Sequence, residues 1–394
     1  MRKIKDNFTI NNFVSLVTLF RSLVRDFLLN NTFMLFYFPK AEEYDLALVR
    51  TDGIGDYIVW LDSLNEYKKA YKGKKIMLIC IKEVESIALL DDFYSSVISL
   101  DNRSFKNIFF RFDFFRKLRK YSFKTVINPT YSRAFDSDNI VSVLRADEKI
   151  AYYGNNSNLY PWVKSLYNQY YTTLLSNPLN DSIEIYNNEF FIKQLFNKDF
   201  SASIPSFPNF IRSSKFDNLL VNNYCVFFLS ARKFRAWDIT NFIELSNSLI
   251  SKFDIVLLGA GTNDELLSAE FIRGSKDRTR VFNLINETTM VETAQIVSNS
   301  KFVIGNDSVG VHLATSLRVP SICIAPGAHY GRFVPYPSEL PNKFYHPRVV
   351  VYKMSCFGCD YRCIKPILNQ YECVRKINFE LVKQEVECLL AELN

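Results

Sequence analysis

The stretch Phe302-Val-Ile-Gly-Asn-Asp-Ser-Val-Gly-Val-His-Leu-Ala-Thr-Ser-Leu-Arg-Val-Pro-Ser-Ile-Cys-Ile-Ala-Pro-Gly327 decides the fold of this chain. It predicts a short buried strand, a tight turn holding Asn306, Asp307 and Ser308, a helix from about Gly310 and a second strand. Asp307 and Ser308 are placed to cap the helix, whose first N–H groups face outward. A strand followed by a helix N-terminus is a typical phosphate or carboxylate site, with a satisfied cap in an ordinary α/β fold as the alternative.

Length and composition indicate a folded protein of two domains. The chain has 394 residues, of which 48% are hydrophobic and 23% are charged. This length suits two cores of ordinary size. The net charge of +7 favours acidic partners, such as nucleotide phosphates or an anionic membrane face. No nucleic-acid motif is present, so we expect no nucleic-acid partner.

The N-terminal segment, residues 1–40, has the pattern of a basic amphipathic helix. Its apolar residues recur at helical spacing, with Arg21 and Arg25 between them. The helix is expected either to lie on a membrane surface or to pack on the domain or on another subunit. No secretory signal or spanning length is evident, and four of the eight cysteines are scattered singly. We therefore expect a cytoplasmic protein, with peripheral attachment to the inner membrane face as an alternative.

A second glycine-containing turn follows the first predicted strand. The strand Tyr44–Arg50 leads into Thr51-Asp-Gly-Ile-Gly-Asp56 and a helix through about Tyr71. A dinucleotide fingerprint would need a third glycine where Ile58 stands, which weakens a nucleotide-binding oxidoreductase as an interpretation. Asp56 is therefore either a functional carboxylate or a simple helix cap.

Four ordered motifs resemble those of glycosyltransferase family 9, the heptosyltransferases. They are Arg50…Gly-Ile-Gly-Asp56, Ser230…Arg235-Ala-Trp237, Asn283–Glu292 and the stretch 302–327. The resemblance spans about residues 44–375 and implies a GT-B fold, in which two Rossmann-like α/β domains face each other across a donor cleft. It also implies inverting sugar transfer from a nucleotide sugar, with ADP-heptose as the leading donor.

The resemblance assigns roles to individual residues. It implies that Asp56 is the general base, that Ser230 and Arg235 contact the donor diphosphate, and that Asp307, Ser308 and His312 complete the donor site. Two positions depart from the family pattern: Asp62 replaces a common proline, and the usual glycine after Asp-Ser is displaced to Gly310. His312 could equally be a buried histidine bonded to backbone.

Further candidates follow from the positions of loops after strands. Arg232 and Lys233 join Arg235 as cations that could replace Mg²⁺, because no D-x-D motif is prominent; we expect no catalytic metal. Asp264 is a candidate ribose contact. The acceptor-side candidates are Arg133, Asp138, His329 and Arg332, with a surface ion pair as the alternative for the first two.

Four clustered cysteines predict a metal site. Cys356, Cys359, Cys363 and Cys373 lie within eighteen residues, a spacing that suits a tetrahedral thiolate site for zinc or iron. The alternatives are two disulfides or free thiols. Four protein thiolates leave no open coordination position, so we expect a structural role.

The predicted organisation has four parts. Residues 1–40 form the amphipathic segment, 41–205 the acceptor domain, 217–375 the nucleotide-sugar domain, and 376–394 a helix that packs back on the first domain. The predicted partners are a nucleotide sugar, a glycan, glycolipid or protein acceptor, and further copies of the chain. The alternative from another class is a non-catalytic thiolate-metal scaffold on a degenerate GT-B core.

Overall fold

A computed structural model describes most of the chain. The described residues are 41–101, 103–177, 182–221, 223–365 and 369–393. The predicted N-terminal helix lies outside them. None of the helices in these ranges is both long enough and apolar enough to cross a membrane.

Twelve strands in the described residues form two parallel sheets of six strands each. The first sheet contains β1 (Glu42–Arg50), β2 (Ile76–Ile81), β3 (Ser96–Leu100), β4 (Tyr121–Asn128), β5 (Arg145–Tyr152) and β6 (Thr173–Leu175). The second contains β7 (Tyr224–Phe228), β8 (Asp254–Leu257), β9 (Val281–Asn283), β10 (Val303–Asn306), β11 (Ser321–Ile324) and β12 (Arg348–Val350). The orders are β3-β2-β1-β4-β5-β6 and β12-β11-β10-β7-β8-β9. Each sheet therefore has the Rossmann order 3-2-1-4-5-6.

Helices follow most of the strands. They are α1 (Ile54–Ala70), α2 (Lys82–Ala88), α3 (Ile108–Leu118), α4 (Phe135–Val143), α5 (Pro161–Asn168), α6 (Glu184–Phe196), α7 (Asp217–Leu220), α8 (Ile239–Leu249), α9 (Thr262–Gly274), α10 (Met290–Asn299), α11 (Val309–Ser316), α12 (Glu372–Arg375) and α13 (Phe379–Leu393). The predicted fold class, α/β with two Rossmann-like halves, is confirmed.

The chain divides into two compact units whose limits differ from the predicted domains. The first unit comprises the described residues up to Thr51, Lys74–Lys82 and Ser95–Ser176. The second comprises Asp52–Gly73, Glu83–Tyr94 and the chain from Asn177 onward. Helix α1 thus belongs with the second sheet although it joins two strands of the first. The reason is packing: Val59 of α1 shares an apolar cluster with Ile185 of α6 and Val311 of α11.

The first unit buries the apolar face of α3 against its sheet. Phe114, Phe115 and Leu118 of this helix join Val126 and Ile98 in one core cluster, while Phe109 points to solvent. Helix α3 is therefore an ordinary amphipathic cover for the sheet. Burial of such side chains contributes roughly 1.5–3 kcal/mol each.

Helix α13 packs on the second sheet. Val382, Val386 and Leu389, at helical spacing, belong to the same core cluster as Ile322 and Val350. The buried face of α13 therefore belongs to the core of the second unit, and the expectation that this helix packs back on the first domain stays a prediction. The apolar stripe was visible in the sequence, but periodicity does not specify which surface a stripe covers.

Asn306, at the end of β10, ties two loops of the second unit together. Its side-chain Oδ1 accepts a hydrogen bond from the backbone N–H of Trp237 at 2.8 Å, and its Nδ2 donates to the Leu229 carbonyl at 2.8 Å. Asn306 is fully buried. Trp237 in turn donates its indole N–H to the Ile377 carbonyl at 2.6 Å. One amide therefore holds the start and the end of the loop after β7.

We predict that Asn306→Leu destabilises the protein strongly. The substitution keeps the side-chain size but leaves the Trp237 N–H and the Leu229 carbonyl buried without their partner. Each of the two buried unsatisfied groups costs roughly 1–3 kcal/mol, so the free energy of unfolding should fall by about 2–6 kcal/mol in urea titration. Asn223→Leu is the control, because its amide makes an exposed bond to the Lys252 carbonyl. Equal losses in the two variants would contradict this role for Asn306.

Candidate active site

The loops that follow β7 and β10 lie side by side at the switch point of the second sheet. β7 and β10 are hydrogen-bonded neighbours, and the sheet order reverses between them. In open parallel sheets, ligands bind outside the carboxyl ends of the strands at such a point. Of the predicted donor residues, Ser230, Arg232, Lys233 and Arg235 follow β7, and Asp307 and Ser308 follow β10.

Arg235 and Asp307 are oppositely charged residues of these two adjacent loops. Arg235 ends a short 3₁₀ turn, Lys233–Arg235, and is half-buried, as is Asp307. Burial raises the pKa of the Asp307 carboxyl to about 6, and the nearby Arg235 cation acts in the opposite direction. That these two residues share one donor site stays a prediction. An arginine beside a poorly solvated carboxylate is also well placed to receive a second anion.

Helix α11 begins at the predicted turn, but its capping differs from the prediction. Ser308 occupies the N-cap position without a side-chain capping bond. The Asp307 N–H donates to the Ile324 carbonyl at 3.0 Å. A Cβ atom at Gly310 would lie 2.3 Å from the Phe228 ring, so the displaced glycine is required for packing of the helix against β7. The first turn of α11 therefore has N–H groups that its cap side chain does not satisfy.

Asp264 connects the loops after β7 and β8. Its Oδ2 accepts hydrogen bonds from the Ser230 hydroxyl at 2.9 Å and from the Ala260 N–H at 3.1 Å. Its Oδ1 is buried and has no hydrogen-bond partner within the described residues. Burial raises the pKa of this carboxyl. The structure thus brings Ser230 and Asp264 together, as members of one site require.

The remaining cations of this loop are less constrained. Arg232 is exposed at the surface, and the side chain of Lys233 is outside the description. Among the three predicted cations, Arg235 is the one whose contacts with the rest of the site are defined.

Asp56 lies in the first turn of α1, within the second unit. Its Oδ2 accepts a hydrogen bond from the Gly53 N–H at 3.2 Å, so it does serve as a cap. The carboxylate is half-buried. A Cβ atom at Gly55 would lie 3.3 Å from Cδ2 of His312 and 3.8 Å from Cα of Val309. The first turns of α1 and α11 therefore pack directly against each other, which brings Asp56 to the helix end that follows Asp307.

His312 is a buried, neutral histidine. Its Nδ1 lies 3.0 Å from the Tyr336 hydroxyl, and the two rings are nearly parallel at 18°. Burial lowers the pKa of the imidazole to about 4. The expected alternative, a histidine bonded to backbone, is wrong in detail because the partner is a tyrosine side chain. The hydrogen bond to Tyr336 orients the imidazole ring, which lies next to Gly55 where α1 packs on α11.

His329 and Arg332 follow β11 and are both engaged by carboxylates. His329 Nε2 lies 2.6 Å from Oδ1 of Asp360. Arg332 Nη1 lies 2.6 Å from Oε2 of Glu184, at the start of α6. Burial lowers the pKa of His329, although Asp360 opposes this effect. Both residues are thus held in place within the second unit.

Arg133 and Asp138 form a buried ion pair at the carboxyl end of β4, in the first unit. Arg133 Nε lies 3.7 Å from Asp138 Oδ2, and both side chains are essentially inaccessible. The Tyr171 hydroxyl donates to Asp138 at 2.6 Å, and its ring lies 4.8 Å from the Arg133 guanidinium. The alternative of a surface ion pair is therefore wrong.

Lys164 belongs to the same buried cluster and was missed from the sequence. Its ammonium group donates to the carbonyl of Asn155 at 3.2 Å, and it lies 4.2 Å from the Tyr153 ring centroid. Burial lowers its pKa to about 8, and the positive charge of Arg133 adds to that effect. No local pattern distinguishes this lysine from the scattered surface lysines, so only the folded chain identifies it.

Comparison with known proteins identifies the family. The model of glycosyltransferase family 9 (heptosyltransferase) matches residues 111–339, more than half of the chain. The chain belongs to glycosyltransferase family 9. It is therefore a glycosyltransferase, as the motifs predicted.

Individual relatives are distant but cover most of this family 9 chain. Lipooligosaccharide heptosyltransferase 2 of Campylobacter jejuni is 23% identical over 338 residues, which are 86% of this chain and 95% of the relative. The structure of Escherichia coli heptosyltransferase WaaC with ADP superposes with a TM-score of 0.63 at 16% identity, covering 89% of this chain and 99% of WaaC. The dodecameric iron-containing heptosyltransferase TibC, in complex with ADP-D-beta-D-heptose, gives a TM-score of 0.51 at 13% identity, covering 90% and 78% of the two chains.

The four clustered cysteines of this family 9 chain line one cavity. Cys356, Cys359, Cys363 and Cys373 share it with Phe357 and other aromatic side chains. All four are thiols without a disulfide. Within the described ranges, no three His, Cys, Asp or Glu side chains stand in the arrangement of a metal site. The thiols thus converge on one cavity, and the metal remains a prediction.

The structure also places residues that the family motifs did not single out. Asn306 and Tyr336 hold Trp237 and His312, and Asp360 pairs with His329. Asn306 lies inside the quoted motif, so it could have been found as a buried amide after a strand. Tyr336 and Asp360 had no sequence signal, because their partners are distant in the chain.

We predict that His312 makes stability fall in mild acid. The unfolded chain takes up this proton near pH 6.5 and the folded protein near pH 4, so protonation favours unfolding between these values. This contribution amounts to about 3 kcal/mol. Urea titrations at pH 7.5, 6.0 and 4.5 should show a smaller loss in His312→Gln than in the wild type. His346→Gln is the control for a half-buried histidine, and equal pH profiles for His312→Gln and the wild type would refute the prediction.

Proposed function

We propose that this protein transfers heptose from ADP-heptose, with inversion, to a hydroxyl group of a cell-surface glycan. One observation carries the proposal. The first turn of α1, which bears Asp56, packs on the first turn of α11. Helix α11 starts two residues after Asp307, and the charge of Arg235 acts on the Asp307 carboxyl. A carboxylate and a cation on neighbouring helix and loop ends are the two groups that inverting transfer needs.

The relatives support the donor and the acceptor class. The superposed WaaC structure contains ADP, and the TibC structure contains ADP-D-beta-D-heptose. The Campylobacter relative is named as a lipooligosaccharide heptosyltransferase, which favours a growing lipooligosaccharide or lipopolysaccharide core as the acceptor. Membership of family 9 also weighs against a purely non-catalytic scaffold, because the motifs that contain Asp56 and Arg235 are both present.

Asp56 acts as the general base in this mechanism. Its carboxylate, already oriented by the Gly53 N–H, removes the proton from the acceptor hydroxyl. The acceptor oxygen then attacks the anomeric carbon from the face opposite the diphosphate, and the C–O bond to the diphosphate breaks. The configuration at the anomeric carbon is inverted because attack and departure occur on opposite faces.

Arg235 and the start of α11 stabilise the leaving diphosphate. Charge develops on the departing oxygen, and a guanidinium with N–H donors nearby can accommodate it without a metal ion. Asp264 and Ser230, joined by their hydrogen bond, would contact the ribose and the diphosphate. The charge of Arg235 also favours the ionised form of the Asp307 carboxyl. His312 would support the helix end rather than exchange protons, because it is buried and neutral.

Arg133, Asp138, His329 and Arg332 are proposed to serve the acceptor side. Arg133 Nη1 is buried and makes no hydrogen bond within the described residues. We also propose contact with the inner membrane face, which would suit a lipid-linked acceptor. Self-association of the chain is proposed as well, because TibC is described as dodecameric.

The cysteine cluster is proposed to hold one structural metal ion, zinc or iron. Four thiols that line one cavity form a donor set suited to these ions. Burial raises the pKa of Cys359 and Cys373, and their neighbouring thiols add to the effect; a bound cation would relieve this. TibC is described as an iron-containing heptosyltransferase, which supports a metal ion of this kind in the cysteine cluster. Bound metal would cross-link the chain around Cys356 to the chain around Cys373.

We predict that Asp56→Asn abolishes most of the activity. The amide retains an oxygen for the Gly53 N–H but cannot accept the proton, so kcat should fall by about two orders of magnitude or more. The assay measures acceptor-dependent ADP release from ADP-heptose. ADP affinity should change less than twofold.

Asp277→Asn is the matched control. Asp277 also accepts a backbone hydrogen bond, from the Thr279 N–H, but caps an exposed turn before β9. It should retain full activity. Near-normal turnover in Asp56→Asn would mean that Asp56 serves only as a helix cap. If the wild type released no ADP with any lipooligosaccharide or lipopolysaccharide core acceptor, the proposed function itself would be refuted.

We predict that the protein purified without added metal contains about one equivalent of zinc or iron. Cys359→Ser should lose that metal and unfold at a lower temperature, because a closed thiolate site stabilises the folded chain. Cys388→Ser is the control, since Cys388 is exposed on α13. Elemental analysis and thermal melting measure the two effects. A metal-free wild type with two disulfides by mass spectrometry would contradict the site.

A further inference from the structure

The cysteine loop (residues 356–365 and 369–373) holds the backbone on both sides of Arg235. The Tyr371 N–H donates to the Phe234 carbonyl at 3.0 Å. The Gln370 side chain donates to the Ala236 carbonyl at 3.0 Å. Phe234 and Tyr371 also pack edge to face with ring centroids 5.9 Å apart. The segment that ends at Cys373 therefore fixes the two residues that flank Arg235.

The first part of the cysteine loop, residues 356–365, contacts the Arg235 side chain itself. The guanidinium carbon lies 3.7 Å from the centroid of the Tyr361 ring, well within the range of a cation–π contact. The Tyr361 ring is in turn braced by His329, at 4.3 Å between centroids, and by Tyr371, at 5.5 Å. The guanidinium thus rests on an aromatic support with neighbours on two sides.

The backbone that presents Tyr361 is in an uncommon conformation. Asp360 and Tyr361 have φ values of +50° and +57°. Consecutive left-handed residues other than glycine are costly and persist where surrounding contacts hold them. Here the Gly358 N–H donates to the Gly327 carbonyl at 2.9 Å, and the Asp360 N–H donates to the Ala328 carbonyl at 3.1 Å. The Asp360 carboxylate is bonded to His329.

We propose that Tyr361 is a positioning residue for Arg235, and that the cysteine loop is thereby a working part of the donor diphosphate site. The proposal rests on the proposed role of Arg235 as the diphosphate cation. It adds to the expected structural role of the cysteine cluster a role for the surrounding loop in the donor site. The four cysteines lie in the same two segments of the chain as Tyr361, Gln370 and Tyr371, which contact Arg235 and its flanking residues.

The physical benefit is preorganisation. A free arginine side chain must lose several rotameric degrees of freedom when it binds an anion, which weakens binding. An aromatic face beneath a planar guanidinium restricts it in advance and leaves its N–H edges available. Tyr361 uses only its ring for this purpose, because its hydroxyl is buried and makes no hydrogen bond in the described part of the chain.

The test compares ADP binding by isothermal titration calorimetry in full-length variants. Tyr361→Leu removes the aromatic face, and ADP affinity should fall about tenfold. Tyr361→Phe keeps the face and removes a hydroxyl that has no partner, so its affinity should stay within twofold of the wild type. Tyr352→Leu is the control: Tyr352 lines the same cavity as the cysteines, and ADP affinity should be unchanged.

A double-mutant cycle with Arg235→Ala separates positioning from general loosening. Arg235→Ala should itself weaken ADP binding at least tenfold, and adding Tyr361→Leu should then have no further effect. If Arg235→Ala weakens binding but Tyr361→Leu does not, or if the two effects add, the role of Tyr361 is overturned while the donor site stands. Equal losses in Tyr361→Phe and Tyr361→Leu would also overturn it, because the hydroxyl rather than the ring would then matter. An unchanged affinity in Arg235→Ala would overturn both proposals.

Discussion

The buried amide of Asn306 is the constraint on which the site of this glycosyltransferase depends. It bonds to Leu229 at the beginning of the loop after β7 and to Trp237 at its end. Arg235 lies between these two points, two residues before Trp237. Because Asn306 is itself the last residue of β10, the same amide sets the loop that follows β7 relative to Asp307. A single side chain thus aligns the two strand ends at which the sheet order reverses.

The charges of the site are arranged by this alignment. The Arg235 guanidinium lies on the Tyr361 ring, its charge acts on the Asp307 carboxyl, and the first turn of α1 packs against the helix that Asp307 precedes. Few ionisable groups are involved, and most are held by a specific neighbour: Asp264 by Ser230, His329 by Asp360 and Arg332 by Glu184. The electrostatic field is therefore largely established before a ligand arrives, which is the arrangement that favours stabilisation of a developing charge.

The fold and the elements of the donor site could be predicted from the sequence because their signals are local. A buried strand, a turn and a helix at residues 302–327 have their own periodicity, and the structure has β10, α11 and β11 there. What could not be predicted depends on partners distant in the chain. The burial of Arg133 with Asp138, the surface that α13 covers and the contact of Tyr361 with Arg235 each join segments with no shared local pattern. The resemblance to the family gave no help with the last, since it treats the cysteines and the donor loop as separate motifs.

The division into units has a consequence for dissecting the protein. The chain crosses between the units five times, after Thr51, Gly73, Lys82, Tyr94 and Ser176. A fragment cut in the link at 205–216, where the sequence suggested a domain boundary, would carry the donor loops but not α1. Such a fragment would expose the surface of Val311 and His312 that α1 covers, and would lack Asp56. Halves made at that link are thus expected to recover function only on recombination. A fragment designed to bind the nucleotide would have to retain α1 together with the second sheet.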